Sequence, residues 1–173
     1  MRFMIPLEAD KDTEALQAEG SAVRHPSVLV LAGGLLAGTF DIVYACLFWA
    51  VKRDVPAQRI LQSVAAGLLG EASFEGGRAT AALGLALHYL IAVSMSVAYY
   101  LAARRLPLLR ERPFLCGAGY GLFLYAVMNY VVVPLSAAGP GSKDPLWITL
   151  SVAVHALLIG IPIALAVRLA GPE

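Results

Sequence analysis

The 173-residue chain is 59% hydrophobic and only 14% charged, against about 45–50% and about 25% in an ordinary water-soluble domain, so it calls for a non-aqueous solvent. Its formal net charge is +1, and no basic stripe with interleaved aromatics occurs, which excludes nucleic acid as a partner. Without a Walker loop, a dinucleotide fingerprint, a Gly-x-Ser-x-Gly elbow or a His-Glu-x-x-His pattern, an ordinary enzyme is disfavoured and no cofactor can be named.

Residues 1–26 are predicted to be a polar tail. Glu8, Asp10, Asp12, Glu14 and Glu19 stand where a signal peptide would be positive, so the tail is expected to stay attached, with a helical turn at 13–17. Residues 27–170 are predicted to form a transmembrane helical domain. Its first span, 27–51, follows Pro26, which is tolerated at a helix start, and ends at Lys52, Arg53 and Asp54. Segment 56–74 is apolar and rich in small residues but too short for a comfortable crossing, so it is expected to be an interfacial or re-entrant helix ended by Gly76-Gly77. The second span, 79–103, ends at Arg104 and Arg105. The third, 114–138, follows Pro113 and is stopped by Gly139-Pro140-Gly141. The last, 146–167, lies between Asp144-Pro145 and Arg168.

Each span can cover ~30 Å of hydrocarbon and is apolar on every face, the pattern of a lipid-embedded helix. Helices also satisfy their own backbone groups, as the bilayer requires. The expected fold is therefore all-α: a polytopic membrane four-helix bundle with one additional short interfacial or re-entrant helix. The lipid bilayer is its expected partner, and a homo-oligomer is left open.

Counting cations tests the topology. With the N-terminus inside, Arg24, Arg104, Arg105, Arg110, Arg112 and Arg168 share one side, and Lys52, Arg53, Arg59, Arg78 and Lys143 the other. A fifth crossing by 60–74 would sharpen that asymmetry, but the helix would be short by about a turn and a half. Four crossings are expected, with loop 104–112 cytoplasmic in either arrangement. Cys46 and Cys116 fall near opposite membrane faces, too far apart for a disulfide.

Small residues should mark the helix contacts, because lipid gives helices little hydrophobic reason to associate. Gly34-x-x-x-Gly38 and Gly117-x-x-x-Gly121 have that spacing, and Ala66-x-x-x-Gly70 and Ser94-x-x-x-Ala98 are weaker versions. One polar side chain also lies well inside each span: Asp41, His88, Asn129 and His155. All four lie nine or ten residues in from the Lys52/Lys143 side, so they form one layer at ~13–15 Å depth. Asp41 shares its face with Gly34, Ala37, Gly38 and Tyr44, His88 with Ala81, Gly84 and Ala92, Asn129 with Tyr125, Ala126 and Ser136, and His155 with Ser151 and Pro162.

An Asp at mid-membrane costs about 2.5–3.5 kcal/mol, so Asp41 is expected within hydrogen-bond or one-water reach of His88 or His155. The layer could relay protons, or His-Asp-His could hold a transition metal, whose identity the residues do not fix. It could equally be structural, each group bonding across helices for about 0.6 kcal/mol. Glu71 and Glu75, flanking Ser73, could face a vestibule. Trp49, Tyr99, Tyr100 and Trp147 lie near span ends and are expected to be interfacial anchors.

From His88 to Arg168 the chain resembles the YagU-like family of bacterial inner-membrane proteins. The resemblance rests on HYLIAVSMSVAYYLAARRLP, GAGYGLFLYAVMNYVVVPL, the Trp147 loop and His155. It implies a multi-pass inner-membrane bundle and supplies no catalytic residues. Two functions stay open: handling of a small solute, ion or proton through the polar layer, or a structural or regulatory membrane subunit acting through helix interfaces. A wet layer favours the first and a dry, paired layer the second.

Overall fold

A computed structural model describes residues 25–171; most of the predicted tail, with its turn at 13–17, lies outside them. The described residues form six helices and no strand. Helix α1, Pro26–Arg53, starts on its proline and stops where Asp54 turns left-handed at φ 53° and returns its N–H to the Ala50 carbonyl, a conformation Asp tolerates better than most residues. Helix α2, Ala57–Leu69, is broken by Gly70 at φ 60° and runs into a 3₁₀ turn, Gly70–Phe74. Helix α3 is Gly77–Arg105 and the single turn α4 is Leu108–Glu111. Helices α5, Pro113–Leu135, and α6, Pro145–Leu169, complete the chain.

α1, α3, α5 and α6 are 28, 29, 23 and 25 residues long and apolar enough to cross a membrane, and even the shortest spans ~34 Å at 1.5 Å per residue. This is a multi-pass membrane protein built as a helical bundle. α6 sits centrally, packing on α1, α3 and α5. Many of the inward positions are small and many large apolar residues face outward: Ala37, Ala65 and Ala164 are fully buried, while Leu47 and Phe123 are 61% and 60% exposed. That inversion suits helices that associate by close backbone contact in lipid.

The third span ends at Leu135, three residues before the expected 138, because Ser136 goes extended and closes the end with its hydroxyl on the Val133 carbonyl. Both α5 and α6 also widen into a π-turn, at Met128–Val132 and His155–Gly160. Each lies just ahead of a proline, Pro134 or Pro162. A proline lacks the N–H for the carbonyl four residues back and its ring crowds that carbonyl, which a widened turn relieves.

α2 stays at one end of the bundle. The C-terminus of α1, the N-terminus of α3, the C-terminus of α5 and the N-terminus of α6 share that end, and α2 is tied to three of them. It follows α1 directly, the buried Gln62 donates from Nε2 to the Gly77 carbonyl (3.0 Å) and Thr80 Oγ1 (3.2 Å), and the Gly67 carbonyl accepts from Ala137 N–H just past α5 (3.0 Å). Gly84, seven residues into α3, lets the Leu61 carbonyl lie against it, so α2 dips ~10 Å below the start of α3. It is the short additional helix, and the spans among the described residues number four.

Candidate functional site

The two predicted glycine pairs are both close crossings. A Cβ on Gly34 would meet Val93 Cα at 2.7 Å and one on Gly38 would meet Ala92 Cβ at 2.9 Å, which seats α1 on α3. A Cβ on Gly117 would meet Gly160 O at 2.8 Å, and one on Gly121 would overlap the His155 carbonyl, seating α5 on the π-turn of α6. Of the weaker pairs, Ser94 and Ala98 are exposed and make no crossing; the Ser94 hydroxyl bonds back to Leu90 O.

Polar side chains then pin the crossing of α1 and α3 and tie α5 to α3. His88 Nε2 lies 2.8 Å from the Gly38 carbonyl; a carbonyl only accepts, so Nε2 carries the proton. Thr39 Oγ1 and Tyr89 OH pair at 2.9 Å beside it. Nearer the arginine-rich end, Ser96 donates to Val30 O (2.7 Å) and Tyr120 to Met95 O (2.8 Å). These two were not anticipated; Ser96 carried a signal only as a small polar residue inside an apolar run.

The four-residue layer is not gathered into one cluster. Asp41 is half-buried and makes no hydrogen bond or ion pair among the described residues, so the expected direct bond to His88 or His155 is absent. Each histidine is engaged with a carbonyl instead: His88 with Gly38 on α1, and His155, through Nδ1, with Ser151 O one turn back (2.9 Å), its ring edge-on to Tyr125. Asn129 is exposed, and its Nδ2 donates to Tyr125 O on its own helix (2.9 Å). Among the described residues no three His, Cys, Asp or Glu side chains converge as metal ligands, so the expected His-Asp-His set is not assembled.

The Lys52/Lys143 end carries its own cluster. Tyr44 stacks on Trp147 (5.2 Å) and shares a hydrogen bond with the buried Ser151 (3.2 Å), while Phe48 and Trp49 pack on the same indole. Asp144 caps α6 by accepting from Leu146 and Trp147 N–H, and its other oxygen meets Lys52 Nζ at 2.6 Å. Lys52, then the Trp147 N–H, hold the Asp144 carboxyl below its usual range. Trp49 and Trp147 thus do lie at a span end. Tyr99 does not act as an anchor: it is 1% exposed, in the core, donating to Leu109 O (2.9 Å).

No protein-family model, curated protein or solved structure matches this chain. The function must be argued from its own geometry. Two cavities bear on it. One of about 470 Å³, lined by Arg59, Glu71, Phe74 and Glu75, sits where α2 meets α3, with the Arg59 guanidinium 4.1 Å from the Phe74 ring centre. The other, of about 770 Å³, is at the opposite end among Arg104, Arg105 and Arg110. Neither is lined by a residue of the polar layer.

Proposed function

We propose that this protein is a structural or regulatory membrane subunit that works by engaging another transmembrane helix. The carrying observation is Asn129. His88, Thr39, Ser96 and Tyr120 hold neighbouring helices together, but Asn129 turns outward at mid-span, and Tyr130 beside it is 76% exposed. α5 is also the least covered span, with 11% of its most apolar stretch buried against 22–33% in the others. An amide facing hydrocarbon is costly unless another helix answers it. With one N–H given to Tyr125 O, Asn129 keeps a second N–H and its Oδ1, which two copies could exchange about a twofold axis.

A second reading, proton or small-ion handling, rests on Asp41, a half-buried carboxyl at mid-span without a bonded partner. The proposed location, a bacterial inner membrane, rests on the YagU-like resemblance of residues 88–168. Donor- and acceptor-labelled copies in liposomes test the main reading. Energy transfer should exceed the chance level for the wild type and fall to it for Asn129→Leu, with helicity unchanged; a wild type that stays monomeric at every protein-to-lipid ratio ends the proposal. The same liposomes decide the second reading: a proton gradient dissipated by the wild type and held by Asp41→Asn would establish it.

A further inference from the structure

The end of the bundle opposite α2 holds an arginine-lined cavity that neither reading uses. It measures about 770 Å³ and is lined by Arg104, Arg105 and Arg110, with Glu111 the one acid among the described residues and Leu101 and Ala103 on its apolar side. Arg110 carries the argument. Its Nε and Nη2 are buried without a hydrogen-bond partner, and its guanidinium carbon lies 5.9 Å from the ring centre of Tyr100, whose hydroxyl is likewise buried and unpaired.

A guanidinium cannot lose its proton to escape that situation, and its planar fork matches two oxygens of a phosphate. Leu101, which lines the cavity and is more than half exposed, and Leu106 and Leu108, equally exposed and either side of the lining residue Pro107 in the chain, supply apolar surface near the cationic one. The cavity lies where α3 leaves the bilayer and α5 re-enters it, the depth of lipid headgroups. We infer that this cavity binds a phosphate-bearing anion, presented as the headgroup of an anionic phospholipid, through Arg110. The site is independent of the outer face of α5 and stands whether or not the protein self-associates.

Thermal unfolding of the detergent-purified full chain, followed by Trp49 and Trp147 fluorescence, tests it. Short-chain phosphatidylglycerol, phosphatidylcholine of the same chain length and inorganic phosphate are titrated in parallel. Phosphatidylglycerol should raise Tm saturably, as a ligand of the folded state does, and phosphatidylcholine should not. Arg110→Gln should weaken the apparent affinity roughly tenfold, the scale of a lost charge-assisted pair, and Arg110→Lys, which keeps the charge without the fork, should fall between. Arg78→Gln, at the other end, should leave the titration unchanged. Should Arg110→Gln not fold, Arg110→Lys alone must still bind more weakly than wild type. If inorganic phosphate matches the lipid, the ligand is a free phosphate in the same site. Equal shifts from the two lipids, or undiminished binding by the Arg110 variants, would overturn the inference.

Discussion

Gly121 shows how little room the crossing of α5 and α6 leaves. A Cβ there would run into the His155 carbonyl, and one on Gly160 into the Gly117 carbonyl; backbone atoms cannot swing away as a side chain tip would. Gly119, two residues from Gly121 on another face, has nothing within 4 Å. Gly121→Ala should therefore destabilise the protein by about 1–3 kcal/mol, the usual cost of overpacking. Gly119→Ala should be neutral or slightly stabilising, since Ala is the better helix former by up to about 1 kcal/mol. Thermal unfolding in detergent separates them, and equal Tm values would mean that α5 does not seat on α6 through this glycine. The pair Gly117/Gly121 was legible because its spacing of four is a pattern; the partner run Ala156-x-x-x-Gly160-x-x-x-Ala164 on α6 has the same spacing, but only one glycine, so it is a weaker signal. The outward turn of Asn129 also departs from its sequence pattern. Ser136 is seven residues on, the same face at 3.6 residues per turn in an unbroken helix, but Asn129 sits within the π-turn Met128–Val132, which takes up an extra residue, and Ser136 is extended past the end of α5.

At the scale of the element, α2 is where length and pattern pulled in different directions. Its apolar run and the cation count both allowed a fifth crossing; its 13 residues reach only ~20 Å. Tertiary contacts decide the matter: Gln62 on Gly77 and Thr80, Leu61 against Gly84, and Gly67 on Ala137 hold α2 across the ends of α3 and α5. None of these could be read from the sequence, because a buried glutamine becomes informative only once its acceptor is known. The arrangement puts Arg53 and Arg78, both exposed, on one side of the membrane. In a variant with Cys46 and Cys116 replaced by alanine, single cysteines at 53 and 78 should be modified equally by a membrane-impermeant maleimide applied to intact cells. Arg53 is preferred over Lys52, which the Asp144 ion pair engages. Modification of one position and protection of the other would mean that α2 spans the bilayer.

For the molecule as a whole, composition alone announced a membrane bundle, and the four spans follow from apolar stretches that no soluble domain could cover. What composition could not convey is that the two ends are built differently. The fully buried Ile163, Val167 and Tyr99, with Ala103 and Val30, concentrate the core toward the arginine-rich end, while aromatic stacking, the Lys52–Asp144 pair and α2 close the other. That asymmetry bears on orientation. Among the described residues, Arg104, Arg105, Arg110, Arg112 and Arg168 stand at one end and Lys52, Arg53, Arg59, Arg78 and Lys143 at the other, so a bare count is balanced. Their settings are not. Four of the first set crowd into the nine residues 104–112 between two spans, the short-loop arrangement that weighs most in setting topology. Loop 104–112 should therefore be cytoplasmic and the connection 136–144 on the far side. Alkaline phosphatase fused after residue 112 should be inactive and, fused after residue 143, active, with fluorescent-protein fusions giving the reverse. Both fusions reporting one side would remove α5 as a span, and with it the outward-facing Asn129; a clean reversal would keep the bundle and place the Arg110 cavity in the outer leaflet.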